Sequence, residues 1–174
     1  TKEFIKKNGE FTVNIALIDN HRPVLGVVHV PAKNQTYYAA LDAGSYLRDE
    51  DGVNNFIEVR KVAGEKPTIV ASRSHRGEAV DKYLENLGNH DITSMGSSLK
   101  LCLIAEGVAD LYPRLGPTCE WDTAAGQAVV EVAGGKVTKT DGTPLLYNTK
   151  DKYLNPHFLV FGDKTRDWPS YMPK

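Results

Sequence analysis

The pattern of strands and helices changes near residue 67, and this change restricts the fold more than any other feature. Between Glu10 and Ile18, apolar residues alternate with small or polar ones at a period of two, which is typical of a half-buried strand. Short β-rich runs follow at residues 24–30, 36–41 and 45–47, separated by turn sequences such as "DNHRP", "PAKNQ" and "DAG". The first part of the chain is therefore predicted to form an antiparallel meander.

After the polar stretch Gly52–Pro67, strands and helices alternate. The sequences "TIVAS", "DITSMG" and "ADLYPRLG" predict strands, while "RGEAVDKYLENLG" and "SSLKLCLIAEG" predict the helices between them. From Trp121 to Ala133 the apolar residues fall at helical spacing, with Trp121 on the buried face. "KVTKT" and "HFLVFG" close the sheet. We expect an α/β fold of the layered α+β type, in which residues 1–66 end a first sheet region, 67–162 form a second α/β region and 163–174 form a loose tail.

The composition excludes several classes of function. A net charge of −1 argues against bulk attraction to nucleic acid polymers or to anionic membranes. No apolar run approaches the roughly 18–20 residues that span a bilayer, and the polar start "TKEFIKKNGE" is not a signal peptide. We expect a cytoplasmic protein without predicting membrane association, although a peripheral position at the inner membrane stays open. Cys102 and Cys119 are too few for a disulfide framework or a zinc site, so both are interpreted as buried thiols.

Asp122 lies at the start of the Trp121 helix, and two interpretations are open for it. A carboxylate there can accept hydrogen bonds from free backbone N–H groups and interact with the positive end of the helix dipole. The same carboxylate could be a metal ligand, since the small residues of "TAAG" leave room for a cofactor and a substrate. The residue alone does not decide between these interpretations.

Three further features could bind an anion, and all lie at strand ends of the alternating region. "GSSLK", Gly96 to Lys100, places hydroxyls, backbone N–H groups and an amine at a strand-to-helix junction. "SRSH" puts Arg73 and His75 after a buried strand, and Arg114 follows another strand. The alternatives are a serine cap with a solvated lysine, a surface turn and a surface ion pair. Because no GxSxG or HExxH motif is present, any hydrolysis should use metal-activated water.

Four segments together resemble the inositol monophosphatase superfamily, and most closely its 3′(2′),5′-bisphosphate nucleotidase branch. They are "TKEFIKKNGEFTVNIALI", "SRSH", "GSSLKLCLIAEGVADLYPRLGPT" and "WDTAAGQAVVEVAGGKV". The resemblance implies a sugar-phosphatase-like αβαβα sandwich whose N-terminal part is missing. It also implies a lithium-sensitive phosphatase of sulfur metabolism that depends on Mg²⁺.

The resemblance gives Asp122 and Thr1 roles in catalysis. Asp122 matches a ligand of the catalytic Mg²⁺, and Thr1 matches a threonine that orients the attacking water. The family has a metal-binding DPLDGT sequence directly before its KEF, and this chain opens on the T. We therefore expect the other metal ligands in an upstream segment of the same protein, and we expect the 174-residue segment alone to be inactive. Without that segment, one face of the first sheet should be exposed.

The resemblance also implies how substrate is bound. Ser97, Lys100 and Arg114 would hold the second phosphate of a nucleotide, and His75 would lie near the adenine or ribose. The implied reaction removes the 3′-phosphate of adenosine 3′,5′-bisphosphate, or of its sulfated form, to release phosphate; the bisphosphate gives AMP. Two alternatives stay open: a sibling phosphatase acting on inositol phosphates, and a non-catalytic nucleotide-binding module.

Overall fold

The computed structural model describes residues 2–5, 7–71 and 77–173. These residues form ten strands, four α-helices and two short 3-10 helices. The helices are α1 (Lys2–Ile5), α2 (Glu78–Leu87), α3 (Leu99–Ala105) and α4 (Glu120–Val132), with 3-10 turns at Pro31–Lys33 and Trp168–Tyr171. The strands are β1 (Val13–Asp19), β2 (Arg22–Val30), β3 (Gln35–Ala40), β4 (Gly44–Arg48), β5 (Asn54–Phe56), β6 (Thr68–Ala71), β7 (Asp91–Ser94), β8 (Leu111–Arg114), β9 (Lys136–Lys139) and β10 (Phe158–Phe161).

The first five strands form one antiparallel sheet in the order β1-β2-β3-β4-β5, which confirms the predicted meander. The β1–β2 turn has positive φ angles at Asn20 and His21, a backbone that suits a tight hairpin. Two details differ from the prediction. β1 begins at Val13 rather than Glu10, and β5 lies within the stretch interpreted as a polar boundary.

The second sheet is mixed and has the order β7-β6-β8-β10-β9. β6 runs parallel to β7 and β8, whereas β10 runs antiparallel to both β8 and β9. α3 packs against one face of this sheet, and its buried residues join a core that includes Tyr112 and Phe158. α2 covers the other face, where Tyr83 packs with Ile69 and Leu159. The layered α/β arrangement predicted from the alternating pattern is confirmed.

α4 lies between the two sheets and is buried on almost every side. It contacts β1 to β4 of the first sheet, β9 of the second, and α3. The approach to β2 is so close that a Cβ atom at Gly26 would lie 2.2 Å from the Ala125 carbonyl oxygen. The prediction for Trp121 is wrong: its side chain is 60% exposed and packs on Tyr153. A helix between two sheets has no single buried face, so helical spacing did not identify its solvent-exposed position.

One face of the first sheet is exposed, as expected. Ile15, Val27, Tyr38, Tyr46 and Phe56 are register partners on successive strands and form one row across this face. Tyr38 stacks on Tyr46, and the Tyr46 ring meets the Phe56 ring edge-on at 5.6 Å. Ile15 is 62% exposed, so the apolar side chains of β1 meet solvent.

The C-terminal tail is not loose, which corrects the prediction for residues 163–174. Trp168 is fully buried against α2 and the second sheet, and its indole Nε1–H donates to the Asp163 carbonyl oxygen at 2.8 Å. Tyr83 donates its hydroxyl to the Trp168 carbonyl oxygen at 2.8 Å. Because the apolar residues of this segment follow no periodic pattern, the burial of Trp168 could not be predicted from the sequence.

The two cysteines differ in their exposure to solvent. Cys102 is buried, but Cys119 is partly exposed just before α4, so the interpretation as a buried thiol is wrong for Cys119.

None of the helices in the described part of the chain has the length and apolarity that crossing a bilayer requires.

Candidate active site

A pocket of about 760 Å³ opens where the loop before α3, the end of β8 and the first turn of α4 meet. Four of the predicted site residues line it: Ser97, Lys100, Arg114 and Asp122. They come from three separate stretches of the sequence. The structure therefore brings together three of the four features that sequence analysis identified, and the fourth, "SRSH", lies outside the described residues.

Asp122 serves as a helix cap and also faces the pocket. Its Oδ2 atom accepts a hydrogen bond from the Cys119 backbone N–H at 3.0 Å, which stabilises the first turn of α4. The residue is exposed and lines the pocket wall. The two interpretations of Asp122 are compatible, because a carboxylate has a second oxygen that can bind another partner.

The loop before α3 is held in an unusual conformation. Ser97 has a φ of +49°, in the left-handed region that residues other than glycine rarely adopt. Its Oγ lies 2.6 Å from Thr12 Oγ1, and Thr12 Oγ1 lies 2.8 Å from Ser98 Oγ. The Ser98 hydroxyl also donates to Asn14 Oδ1 at 2.8 Å. These bonds fasten the loop to the start of the first sheet.

Sequence reasoning missed the residues that hold this loop. Besides Thr12 and Asn14, Glu10 contributes a buried carboxylate that accepts the Gly96 backbone N–H at 2.7 Å. The sequence does contain a pattern that marks these residues as a group. Glu10, Thr12 and Asn14 recur at a period of two, on the strand face opposite the apolar residues. A polar row on the covered face of a strand needs partners, and here the partners are the loop's N–H and hydroxyl groups.

Lys100 is buried rather than solvated, with 7% of its surface exposed. Its Nζ donates to the carbonyl oxygens of Ser97 at 2.8 Å and Met95 at 3.3 Å, and it lies 5.6 Å from the Tyr112 ring centroid. The ammonium group therefore stabilises the loop conformation. It also places a positive charge in the pocket wall.

Arg114 is the last residue of β8, and the loop that leads to α4 follows it. Its Nη2 donates to the Pro117 carbonyl oxygen at 2.9 Å, while its buried Nε has no hydrogen-bond partner within the described residues. Among those residues no carboxylate forms an ion pair with Arg114, so the surface ion pair is not seen. Burial raises the pKa of neighbouring Tyr112 to about 12, although the Arg114 charge acts to lower it. The Tyr112 hydroxyl is therefore neutral at pH 7 and places no negative charge beside the Arg114 guanidinium.

Comparisons with known proteins identify the family of this chain. The family model for the inositol monophosphatase family matches residues 1–160. The chain belongs to this family. Over 160 residues it is 54% identical to the 3′(2′),5′-bisphosphate nucleotidase CysQ of Escherichia coli (strain K12), covering 92% of the chain and 63% of that protein. CysQ of Haemophilus influenzae is 34% identical over 171 residues, covering 98% of the chain and 64% of that protein. The chain thus spans less than two thirds of these curated relatives.

Solved structures of the inositol monophosphatase family confirm the fold. The crystal structure of CysQ from Bacteroides thetaiotaomicron matches with a TM-score of 0.82 at 42% identity, covering 94% of this chain and 67% of that one. An inositol monophosphatase from Zymomonas mobilis matches with a TM-score of 0.81 at 22% identity, covering 98% and 66%. The second match shows a shared fold only.

Two of the residues that the family resemblance singled out lie outside the described residues. These are Thr1 and His75, together with the rest of "SRSH". Their assignments, to orientation of the attacking water and to the adenine or ribose, stay predictions.

The described residues do not by themselves fit a complete Mg²⁺ site. No three His, Cys, Asp or Glu side chains in the described ranges come together in a way that could hold a metal ion. Asp122 fits as one ligand, but Glu120 forms an ion pair with Lys150 and accepts the Asn148 N–H. Since protein-bound Mg²⁺ takes six oxygen ligands in octahedral geometry, further ligands would have to come from elsewhere.

Proposed function

We propose that this chain is the larger part of a Mg²⁺-dependent 3′(2′),5′-bisphosphate nucleotidase. The substrate would be adenosine 3′,5′-bisphosphate, and the products would be AMP and inorganic phosphate. The observation that carries the proposal is that Asp122, Arg114, Ser97 and Lys100 line one pocket. The 54% identity to a named nucleotidase, CysQ, supports the same substrate class.

The chemistry of the pocket suits a substrate with two phosphates. Arg114 has N–H groups in the planar fork that binds phosphate oxygens, and its buried Nε has no hydrogen-bond partner in the described part of the chain. The Ser97 hydroxyl and the Lys100 charge lie on the same pocket. We assign these three residues to the phosphate that is retained, which leaves Asp122 for the phosphate that is removed.

In the proposed reaction, a water oxygen bonds to phosphorus, the bond to the ribose O3′ breaks, and O3′ takes up a proton. Mg²⁺, when bound, activates the water and offsets the charge that develops on the phosphate. The part played by the described residues is to bind and orient the substrate. We expect the 174-residue chain alone to be inactive, because its described residues supply a single pocket carboxylate.

The test compares phosphate release by the intact protein that carries this chain with release by the chain alone. The substrates are adenosine 3′,5′-bisphosphate and inositol 1-phosphate, each with and without Mg²⁺. We expect the intact protein to prefer the nucleotide and to need Mg²⁺. Faster release from inositol 1-phosphate would assign the sibling activity, and equal release by the chain alone would overturn the expected inactivity.

Two substitutions in the intact protein separate the assigned roles. Asp122→Asn should reduce kcat by at least about 100-fold with little change in stability, because the asparagine Oδ1 can still accept the hydrogen bond from the Cys119 N–H. Arg114→Lys should mainly raise KM for the nucleotide, because lysine cannot reproduce the bidentate contact. Unchanged kcat in Asp122→Asn would contradict the catalytic assignment.

A further inference from the structure

The segment between β9 and β10 wraps around the first two turns of α4. We call residues 144–157 the connecting segment. Its Tyr153 carbonyl oxygen accepts the Glu120 N–H at 2.8 Å, and Lys150 forms an ion pair with the Glu120 carboxylate. The Tyr147 hydroxyl lies 3.1 Å from Thr123 Oγ1 and 2.7 Å from Gln127 Oε1. The start of α4 is therefore held by a segment that lines no part of the pocket.

Within the connecting segment, Asn155 contacts both structures that present pocket residues. Its Nδ2 lies 2.9 Å from the Cys119 carbonyl oxygen, 3.0 Å from Thr123 Oγ1 and 3.2 Å from Thr118 Oγ1. Its backbone N–H donates to the Thr118 carbonyl oxygen at 2.8 Å. Thr123 follows Asp122 on α4, whereas Thr118 belongs to the loop that begins at Arg114.

Hydrogen bonds continue from these partners to the two pocket residues. On one side, the Cys119 N–H donates to the Asp122 carboxylate at 3.0 Å. On the other side, Arg114 donates to Pro117, the residue before Thr118, at 2.9 Å. Asn155 thus lies at the point where the Arg114 loop and the Asp122 helix turn are joined.

The Asn155 amide forms its side-chain hydrogen bonds through Nδ2. The side chain is buried, with 9% of the residue exposed, and its Oδ1 atom has no hydrogen-bond partner among the described residues. An apolar residue of similar size would remove this unpartnered acceptor, but it would also leave the Cys119 carbonyl and two threonine hydroxyls without the bonds that Nδ2 supplies. What asparagine provides is a fixed connection between two backbone segments.

We infer that Asn155 is a positioning residue, which sets the distance between Arg114 and Asp122 by tying the loop at residues 115–118 to the first turn of α4. The inference rests on the proposed function only for the nature of the ligand. Asn155 itself does not line the pocket, so it acts through Thr118, Cys119 and Thr123.

The test uses the two tryptophans as reporters in the chain labelled with 5-fluorotryptophan. Trp121 lies next to Asp122 on α4, and Trp168 is buried on the other side of the second sheet. Fluorine NMR gives one resonance for each. Asn155→Leu should shift or broaden the Trp121 resonance and leave the Trp168 resonance unchanged. In calorimetry, adenosine 3′,5′-bisphosphate should bind roughly tenfold more weakly, as expected for the loss of buried hydrogen bonds.

Asn86→Leu is the matched control, because it makes the same substitution in another asparagine. Asn86 donates to the Tyr171 carbonyl oxygen at 3.0 Å and does not line the pocket. It should change neither the Trp121 resonance nor the affinity. If Asn155→Leu does not fold, Thr118→Val removes one hydroxyl partner and should produce a smaller change in the same direction.

The inference and the proposed function fail in different ways. An unmoved Trp121 resonance, or an unchanged affinity despite a moved one, overturns the positioning role of Asn155. Absence of nucleotide binding by the unsubstituted chain counts against the proposed function, while an unmoved Trp121 resonance still overturns the positioning role of Asn155.

Discussion

The two sheets differ in how their faces are covered. The second sheet has α3 on one face and α2 with the C-terminal 3-10 turn on the other. The first sheet has α4 on one face, while its other face presents the row from Ile15 to Phe56 to solvent. One covered face is enough to align five strands in register. The pocket lies mainly on the part of the chain that contains the second sheet, whose two faces are covered. Asn14 is the lining residue that the first sheet contributes.

The largest effect is expected where the second sheet is covered most completely. Trp168→Ala should lower the free energy of unfolding by about 3–5 kcal/mol, because it empties a fully buried indole site and removes the bond to Asp163. Urea denaturation measures this change. Trp121→Ala is the control, and its exposed ring should contribute less than about 1 kcal/mol. Similar losses for both variants would show that the C-terminal turn is not part of the core.

A smaller effect is expected where the first sheet meets the pocket. Thr12→Val keeps the side-chain shape but removes the hydroxyl shared by Ser97 and Ser98. We expect a loss of about 1 kcal/mol in stability and weaker phosphate binding, because Ser97 is no longer held at its positive φ. Calorimetric titration with inorganic phosphate measures the second effect. Thr36→Val is the control, since Thr36 lies on the face of the first sheet that α4 does not cover, away from the pocket.

A pH-dependent effect is expected where β3 contacts the second half of the chain. The Tyr37 hydroxyl donates to the Glu106 carboxylate, and burial raises the pKa of Glu106. Because the folded-state pKa is the higher one, this group's contribution to stability is full at low pH and is lost as pH rises through that pKa. Glu106→Gln should therefore stabilise the protein near pH 8, with the gain disappearing toward pH 4. A gain that grows as pH falls would contradict this assignment.

The smallest effect on stability is expected on the exposed face of the first sheet. Ile15→Lys should change the free energy of unfolding by less than about 0.5 kcal/mol, since the side chain already meets solvent. It should nevertheless reduce self-association of the isolated chain, because it interrupts an apolar row. Light scattering at increasing concentration measures this effect. A large loss of stability would show that the face is covered in the folded chain.

Elements defined by local patterns could be predicted from the sequence. The meander follows from the alternation in "FTVNIALI" and from turn residues such as Asn20, and the start of α4 follows from Asp122 and the small residues after it. Trp121 could not be placed, because the exposed side of a helix depends on which elements surround it. The aromatic residues of the C-terminal segment gave no periodic signal, so the burial of Trp168 was visible only in three dimensions.

The site was predictable in part for a similar reason. Arg114, Ser97, Lys100 and Asp122 each follow from strand-end or helix-start chemistry, and the family resemblance predicts that they serve one active site. The residues that hold these four side chains in place could not be predicted from local sequence patterns. Asn155 lies 32 residues from Thr123, with which it shares a hydrogen bond, and no local pattern marks such a pair.

The position of α4 between the sheets has a consequence for how the molecule melts. Residues of both sheets pack into one core around this helix, including Val28, Tyr37, Val70 and Phe158. Heating cannot release one sheet without exposing the apolar surface that the other shares through the helix. The described part of the chain should therefore lose its structure in a single cooperative transition, and fragments divided near residue 67 should not refold separately.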